Sequence, residues 1–559
     1  MLAALLPICL SCTPAPLSMV AEYEAEKQLT SGTIIGPDRR FGTVAAEASG
    51  RAAVRLDRDD QFIRFTLTGP ARGLTLRYSL PASGAWRRKP SAVAIESNGQ
   101  PLATLPLTSA YALRPIAHPA GARPVHHFWD EVRLLLRRSL PAGTTMSLRL
   151  AKETGAAGTA IDLIDMEEVS PPEAAPPGAI LLGQFRPDPS GRRSSRAALV
   201  RAIAAARKQH KALYIPPGHY RVDGHLTVDR VTVAGAGSWY SIIRGHNVGF
   251  YARHRGSSRV NLSGLAVESD VSSRQDRLPT AAIGGRFSNS SFTQLYLNHA
   301  KVGMWLDGPA HDLLVRDVVI ANQAADGINL HRGIRNALVE SNRIRNTGDD
   351  AIASWSEGIA NELIAIRNNW VAAPGLANGI AIYGGRNIAV VGNRVADVLV
   401  EGGGIHLGAR FRASPFGGRI LIADNVVTRA GTMDPNWHFG VGAIWIYALE
   451  RPIRADIMIV SNRIEDAGCE AIQLLGPNRI ERVSVEDLRI TGPLTSVFAL
   501  QTGGLLAATG VATSLAPSDP VVEVPPALAL EQGDGNRGWK VRKGQPAPPR
   551  NADNEVACR

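Results

Sequence analysis

The chain of 559 residues has few cysteines, and their positions exclude two kinds of site. Cys9, Cys12, Cys469 and Cys558 form neither the paired spacing of a zinc site nor a dense disulfide framework. Cys469 lies in an apolar stretch, so we expect a buried thiol there. A bridge from Cys469 to Cys558 is the alternative.

Lysine is also scarce, because only 8 of the 61 basic residues are lysine. The formal net charge is +11, and the arginines are spread along the chain apart from short pairs such as Arg39-Arg40. A protein that binds nucleic acid more often clusters its basic charge. We therefore expect no nucleic-acid partner and interpret the arginines as a solvated surface.

Long apolar runs are missing beyond the first 20 residues. No later segment reaches the roughly 18 apolar residues that a membrane-spanning helix needs, so we predict no membrane span. The run from Leu2 to Leu10, followed by Ser11-Cys12, is typical of a short export signal. Cleavage, lipidation at Cys12 and a start codon placed too late are the three interpretations of residues 1–20. We expect a secreted, periplasmic or cell-surface protein.

Residues 21–170 contain short alternating apolar runs separated by Gly, Pro and Asn, which predicts a β-sandwich. This segment opens with Tyr23-Glu24-Ala25-Glu26 and closes with a strand that contains Asp162. These ends resemble those of jelly-roll carbohydrate-binding modules. The resemblance implies a structural calcium ion held by Glu24, Glu26 and Asp162, and oxygen ligands suit this cation. Exposed carboxylates on edge strands are an alternative of equal weight.

A Pro-rich linker at residues 171–184 precedes a second domain at residues 185–515, and residues 516–559 read as a capping or loosely ordered tail. Ser194 to Gln209 predicts an amphipathic helix with Ala198, Leu199, Ile203 and Ala204 on its apolar face, followed by the segment IPPGHY. This order resembles the capped start of right-handed parallel β-helices of the pectate-lyase type. A helix is suited to cover the open first rung of such a coil.

Two columns of residues repeat about every 25 positions through the second domain. In one column an Asn or Asp precedes a short apolar strand, at Asp317, Asn342, Asn369, Asn393, Asn425, Asn462 and Asp487. In the other, a small residue precedes an isoleucine, at Ile328, Ile352, Ile380, Ile405, Ile444 and Ile472. Asn at a corner can adopt the left-handed conformation and stack in ladders. The columns predict an all-β fold with a parallel β-helix after the sandwich.

Three aspartates occupy one corner of this coil. Aligning Ile328 with Ile352 places Asp326 over Asp350 on adjacent rungs, and Asp349 lies beside them. The same corner carries other residue types on later rungs, so the coil itself does not require acidity there. Two carboxyl groups across a glycosidic bond can hydrolyse it, one as proton donor and one by activating water. A calcium ladder or capping aspartates would be the structural alternative.

The order of a carbohydrate-module-like sandwich and a β-helix with Asp-Gly followed by Asp-Asp resembles the bacterial α-1,3-glucanase and mycodextranase family, glycoside hydrolase family 87. The resemblance covers residues 21–515 and implies an inverting hydrolase of a neutral α-glucan. It implies Asp326, Asp349 and Asp350 as the catalytic residues, without a cofactor for catalysis. A polysaccharide substrate and a monomeric protein are expected.

Two other activities and one binding role are kept as alternatives. Polygalacturonases share the acidic pattern but also need Gly-His-Gly on the next rung, which here reads Asn378-Gly379-Ile380-Ala381, and an Arg-x-Lys motif, which is absent from this region. A lysine-based lyase is disfavoured because Lys301 is the only lysine in the coil. A β-helix that only binds polysaccharide would leave the acidic corner unexplained.

The residues that follow the aligned isoleucines, together with nearby aromatic residues, should line an open cleft for a polymer. Aromatic rings stack on sugar faces and polar groups orient hydroxyls. The predicted substrate-binding residues are Asn329, Trp355, Tyr383, His406, Trp437 and Trp445.

Overall fold

The computed structural model describes residues 20–81, 90–112, 114–116, 125–398, 400–433, 439–492, 496–514 and 521–544. The leader, Cys12 and Trp437 lie outside these residues. The expectations of an export signal and of lipidation at Cys12 remain predictions. Within the described residues, no helix is both long enough and apolar enough to cross a membrane. Cys469 is disulfide-bonded, so the expected free thiol is wrong, and its partner lies outside the described part of the chain.

The N-terminal domain is a sandwich of two antiparallel sheets with an apolar core between them. The strands of one sheet are Ala21–Glu24, Thr33–Ile35, Ala53–Leu56, Ala71–Ser79, Asp130–Leu140 and Thr159–Glu167. The strands of the other are Leu29–Thr30, Phe62–Thr66, Pro90–Ser97, Gln100–Thr108 and Thr145–Leu150. A short pair, Arg114–Ile116 and Val125–His127, and three 3₁₀ turns, Ala25–Lys27, Ala45–Glu47 and Ser49–Arg51, complete the domain.

The only α-helix in the described residues, Arg196–Gln209, covers the start of the second domain. Its buried face is formed by Ala198, Leu199, Ala202, Ile203 and Ala206, which pack on the core of the coil. The 3₁₀ turn Leu182–Phe185 lies against it. The predicted cap is therefore present, although Ala204 of the predicted apolar face is exposed.

The second domain is a parallel β-helix of three sheets, as the repeat predicts. Sheet 1 contains Ile180–Leu181, Leu213–Ile215, Val231–Gly235, Val260–Ser263, Ser290–Thr293, Ala310–Arg316, Ile334–Glu340, Glu362–Arg367, Gly385–Val391, Phe416–Ala423, Ile453–Val460, Ile480–Glu486, Gly504–Thr509 and Leu528–Gln532. Sheet 2 contains Ser190–Ser194, Gly218–Arg221, Ser241–Arg244, Ala266–Glu268, Tyr296–Asn298, Val319–Ala321, Arg343–Arg345, Trp370–Ala372, Arg394–Ala396, Val426–Thr428, Arg463–Glu465, Arg489–Thr491 and Ala512–Thr513.

Sheet 3 carries the strands that follow the acidic corner. Its strands are His225–Thr227, Gly249–Tyr251, Ala281–Ser288, Val302–Asp307, Ile328–His331, Ile352–Trp355, Ile380–Tyr383, Ile405–Gly408, Ile444–Tyr447, Ile472–Leu475 and Phe498–Gln501, with Ser257–Ser258 paired to Ala281–Ser288. The isoleucines of the second column are paired from Ile328 to Ile472 in the predicted register. All six are fully buried in the core of the coil.

An asparagine ladder stacks the corners before sheet 2. The Asn369 Oδ1 atom accepts hydrogen bonds from the Asn342 backbone N and Nδ2 at 3.0 and 2.9 Å. The same arrangement repeats through Asn393, Asn425 and Asn462. The left-handed residue, however, is the one before each asparagine, for example Ser341 with φ of 56°.

The two ends of the predicted asparagine column are shifted by one residue. Val319 pairs with Arg343, so Val318, rather than Asp317, occupies the position of Asn342. Arg463 pairs with Arg489, which likewise places Leu488 at the position of Asn462. Asp317 and Asp487 are instead the left-handed residues, with φ of 54° and 51°.

The coil extends beyond the expected boundaries at both ends. Ile180–Leu181 lies in the segment taken as linker but already pairs with Leu213–Ile215. Leu528–Gln532, in the expected tail, adds a strand to sheet 1. Val521–Val524 and Lys540–Lys543 pair with each other, and Val522 and Trp539 pack against the end of the core. Residues 521–544 of the expected tail therefore form a cap.

Buried ion pairs join the sandwich to sheet 2. The Arg345 guanidinium contacts Glu131 and donates to Asp165 at 2.6 Å. Arg343 donates to the same Asp165 oxygen at 2.9 Å. Arg345, Glu131 and Asp165 are almost fully buried, so the two domains share a buried, charged interface.

Candidate active site

The three aspartates lie at the corner that leads into sheet 3. Asp326 and Asp350 each stand two residues before a strand, and the backbone N of Gly327 donates to the Asp350 carbonyl at 3.1 Å. A Cβ atom at Gly327 would lie 2.4 Å from the Ala351 carbonyl oxygen. Small residues in this column therefore allow adjacent corners to stack closely.

Stacking brings the carboxyl groups together. One oxygen from each of Asp326, Asp349 and Asp350 lies within 4.8 Å of the others. Asp326 and Asp350 are buried, whereas the Asp349 side chain is 23% exposed. Like charges at this distance disfavour simultaneous ionisation.

The buried carboxyl of Asp326 resists ionisation. Burial, together with the charges of Asp349 and Asp350, raises the pKa of Asp326 well above its ordinary value. A hydrogen bond from Asn329 Nδ2 at 3.0 Å opposes this effect. Asp326 is therefore suited to retain a proton near neutral pH.

Asp350 is held by three donors. Its Oδ1 atom accepts hydrogen bonds from the backbone N and Nδ2 of Asn378 at 2.8 and 2.9 Å, and its Oδ2 atom accepts one from Tyr383 at 2.9 Å. Burial and then the charge of Asp349 raise the pKa of Asp350 to about 6, while these hydrogen bonds lower it. Asp350 can therefore change its protonation state in the neutral range.

Asp349 is paired with an arginine from a distant loop. Arg274 Nη1 donates to Asp349 Oδ2 at 2.6 Å, and Arg274 Nε donates to Asp276 at 2.7 Å. The backbone N of Asp350 donates to Asp349 Oδ1 at 3.0 Å. These contacts fix the position of both oxygens of Asp349.

The triad opens into a cavity of about 860 Å³. Four of the predicted substrate-binding residues line it, namely Asn329, Trp355, Tyr383 and Trp445. His406 is not part of the lining, because it is fully buried and stacks against Trp445 with a ring separation of 3.7 Å. Burial, followed by the charge of Arg410, lowers the pKa of His406 well below its ordinary value, so it is a neutral packing residue.

Several lining residues had no part in the predicted site. Trp305 and Asp307 lie one coil before Asn329 and His331, and Trp305 packs edge-on against Trp355 at 6.4 Å. His331 links Asp307 and Glu357 at 2.8 and 3.0 Å beneath these rings. The register of sheet 3 could have identified Trp305, whereas nothing in the sequence pattern points to Arg274.

The predicted calcium ligands are not gathered into one group. Among the described residues, the only cluster of three potential ligands close enough for one metal ion is the Asp326, Asp349 and Asp350 triad. Asp162 is fully buried and forms an ion pair with Arg77. Glu24 and Glu26 each retain a buried Oε2 atom without a hydrogen-bond partner. These two glutamates fit a cation, whereas Asp162 is already neutralised.

An open cleft along one sheet of a parallel β-helix, with clustered carboxyl groups and aromatic walls, defines an enzyme that acts on polysaccharides. Two family models match the chain, α-1,3-glucanase catalytic domain D1 over residues 16–169 and catalytic domain D2 over residues 190–495. The chain therefore belongs to the α-1,3-glucanase family and is a glycoside hydrolase.

Solved structures agree with this assignment. The catalytic unit of a thermostable GH87 α-1,3-glucanase from Streptomyces thermodiastaticus strain HF3-3 is 33% identical, with a TM-score of 0.87 over 95% of this chain and 98% of that one. The Agl-KA catalytic domain is 22% identical, with a TM-score of 0.80 over 94% and 97% of the two chains. A GH87 α-1,3-glucanase catalytic domain in complex with nigerose is 22% identical, with a TM-score of 0.77 over 92% and 98%. No curated protein sequence matches the chain.

Replacing Asp350 with Asn should stabilise the protein at alkaline pH. The pKa of Asp350 is raised from 3.8 to about 6, so its favourable contribution to folding is complete below the unfolded value and is lost as the pH rises through about 6. Asn cannot ionise, and its amide can still accept from Asn378 and donate to Tyr383. The melting temperature of Asp350→Asn should therefore exceed that of the wild type at about pH 8 but not at about pH 4.

The matched control is Asp60→Asn, because the Asp60 side chain is 69% exposed. It should change the melting temperature little at either pH. An Asp350→Asn protein that is less stable than the wild type at both pH values would contradict the environment assigned to Asp350.

Proposed function

We propose that the enzyme hydrolyses α-1,3-glucosidic bonds of a neutral glucan with inversion, using Asp326, Asp349 and Asp350. The observation that carries this proposal is the approach of all three carboxyl groups to within 4.8 Å at the floor of the cleft. Acid–base hydrolysis needs one carboxyl that gives a proton and one that accepts a proton from water. The three carboxyl groups lie in different environments, so one of them can give a proton while another accepts one.

The ligands and substitutions in related structures support an α-1,3-glucan substrate and the three aspartates. One GH87 α-1,3-glucanase catalytic domain was obtained in complex with nigerose, and variants of it were obtained with nigerose or tetrasaccharides. Four of those complexes carry a single Asp-to-Ala substitution, at three different positions. The substituted positions are separated by the same intervals as Asp326, Asp349 and Asp350.

Asp326 and Asp350 are assigned to hold the attacking water. They occupy equivalent corners on adjacent coils, and both are buried. Two hydrogen bonds of about 2.8 Å through one water molecule can bridge a gap of this size. Protonated Asp326 would donate to the water, and ionised Asp350 would remove its proton.

Asp349 is assigned as the proton donor to the leaving oxygen. It is the most exposed member of the triad, so it can exchange its proton with solvent. Once Asp349 has given up the proton, the contact with Arg274 stabilises the resulting carboxylate. Stabilising this carboxylate favours transfer of the proton from Asp349 to the glycosidic oxygen.

The short separation of the carboxyl groups bears on stereochemistry. In enzymes with two catalytic carboxyl groups, about 5 Å is typical of retention, and roughly 6.5–9.5 Å is typical of inversion. Here a third carboxyl is present, and the short gap between Asp326 and Asp350 is assigned to a bound water. A retaining mechanism would need only two of the three groups.

A neutral substrate is favoured because two of the cations that line the cavity, Arg274 and Lys301, are already engaged. Lys301 Nζ donates to the carbonyl oxygens of Gln275 and Asp276 at 3.4 and 3.0 Å, so it holds the loop that carries Arg274. Arg274 is committed to Asp276 and Asp349. A polygalacturonase-like activity and a binding-only role are the outcomes against which the proposal is tested.

The decisive experiment compares release of reducing sugar from α-1,3-glucan, nigeran, dextran and polygalacturonate. We expect cleavage of α-1,3-glucan or nigeran and none of polygalacturonate. Proton NMR of the first product should show the β-anomer, because water attacks opposite the leaving group. An initial α-anomer would contradict inversion, cleavage of polygalacturonate alone would contradict the neutral substrate, and binding without cleavage would contradict the enzymatic role.

The assigned roles predict different responses to the leaving group. Asp349→Asn should lose about 100- to 10,000-fold in kcat/KM on the glucan but much less on an aryl glycoside with an acidic phenol, which leaves without a proton. Asp326→Asn and Asp350→Asn should be impaired on both substrates. If Asp326→Asn, rather than Asp349→Asn, keeps its activity on the aryl glycoside, Asp326 is the proton donor. Near-normal activity of all three variants on the glucan would exclude this site.

We also propose that calcium binds at Glu24 and Glu26 of the sandwich. Burial, as the largest cause, raises the pKa of Glu26 to about 7 and also raises that of Glu24, and each has an unpartnered buried oxygen. A divalent cation would compensate both charges. Asp162 is left out of this ligand set because of Arg77.

Removing calcium with a chelator should lower the melting temperature of the full-length protein, since an ion that binds only the folded state stabilises it by mass action. Restoring calcium should reverse the change. Glu26→Gln should remove the dependence on calcium, whereas Glu153→Gln, at an exposed residue of the same domain, should retain it. An unchanged melting temperature of the wild type after chelation would exclude the site.

A further inference from the structure

Trp445 is linked to Asp350 through one asparagine, although Trp445 stands three rungs further along sheet 3. Trp445 Nε1 donates to Asn378 Oδ1 at 2.8 Å, and the backbone N of Gly403 donates to the same oxygen at 3.0 Å. Asn378 in turn gives Asp350 two hydrogen bonds from its backbone N and Nδ2. All three side chains are almost fully buried.

The indole N–H and the Gly403 backbone N–H together decide which way the Asn378 amide points. An indole N–H can only donate, so it must face the amide oxygen, and the amide NH₂ group then faces Asp350. A reversed amide would place its NH₂ group against two donors and its oxygen against a carboxyl oxygen. The contact with Trp445 therefore stabilises the one orientation that supports Asp350.

The absence of a side chain at Gly403 leaves room for the Trp445 indole beside Asn378. A Cβ atom at Gly403 would lie 2.7 Å from Trp445 Cδ1 and 3.1 Å from Nε1, so a larger residue there would displace the indole. His406, on the neighbouring strand of sheet 3, stacks against the indole. Its Nδ1 atom lies 3.2 Å from the Trp445 carbonyl oxygen. The indole is thus held between a glycine and a neutral histidine.

The burial of Trp445 argues against its predicted use as a sugar platform. Its side chain borders the cavity but only 1% of the residue is exposed, so the ring faces are covered by protein. Trp305 and Trp355 are both partly exposed in the same cavity and offer more ring surface to a sugar.

We propose that Trp445 is a positioning residue for Asp350, acting through the amide of Asn378. The assignment rests on the proposed function, since it concerns how the water-activating carboxyl is held. Trp445 and Asn378 touch neither the water nor the sugar in this scheme. They set the direction and the ionisation of Asp350.

The consequence for pH dependence follows from the donors to Asp350. Hydrogen bonds from Asn378 and Tyr383 lower the pKa of Asp350 against burial and the charge of Asp349. Losing the Asn378 amide donor would raise that pKa, so the acidic limb of activity would move to higher pH. The titratable and charged groups around Asp350 are Asp326, Asp349, Tyr383, Arg274, Glu401, His406 and Arg410.

The test compares Trp445→Phe and Asn378→Asp with the wild type in the full-length enzyme. Phenylalanine keeps a ring against His406 but removes the N–H, and we expect kcat to fall about tenfold with KM nearly unchanged. Asn378→Asp places a second carboxyl against Asp350 and should cause a larger loss. In both variants the acidic limb of kcat/KM should shift to higher pH.

Trp539→Phe is the matched control, because Trp539 Nε1 donates to the Val511 carbonyl oxygen at 3.1 Å in the C-terminal cap. It removes the same kind of hydrogen bond and should leave kcat and the pH profile unchanged, whatever its effect on the melting temperature. Trp445→Phe with a raised KM and an unchanged pH profile would assign Trp445 to sugar binding and overturn the proposal. An unchanged Trp445→Phe enzyme would also overturn it. Normal activity of Asp350→Asn would instead contradict the proposed function.

Discussion

Stacking of parallel coils in register is the constraint on which the rest of the structure depends. Strands in adjacent coils lie about 4.8 Å apart, so residues one repeat apart become neighbours. The buried isoleucines and the asparagine ladder maintain this register from corner to corner. Three aspartates in adjacent corners are thereby forced together, and their burial, followed by their mutual repulsion, raises the pKa values of Asp326 and Asp350.

Much of the coil and the triad can be predicted from the sequence because each depends on a repeated local pattern. Aligning Ile328 with Ile352 is enough to place Asp326 beside Asp350, and the pairing of the strands agrees. The pattern fails at Asp317 and Asp487, where Asp takes the left-handed position before the corner. Asp and Asn both favour that conformation, so residue type alone cannot distinguish the two positions.

The parts that could not be predicted depend on contacts between distant segments. Arg274 reaches Asp349 from a loop that shows no repeat, and Arg77 occupies the place at Asp162 that resemblance gives to a cation. His406 follows the column of outward residues, but a neighbouring indole covers it. The position of a residue in the sequence repeat predicts whether its side chain points out of the coil. It does not predict which other side chains cover it.

The charged interface between the domains changes how the chain should be divided. Arg345 is buried against Glu131 and Asp165 of the sandwich, and separating the domains would leave these charges without partners or expose them to water. A module that only tethers an enzyme to its substrate has no need of such a contact. The sandwich and the β-helix are therefore one unit of stability, and a fragment that begins at the linker would lack the carboxylates that pair with Arg343 and Arg345 of sheet 2.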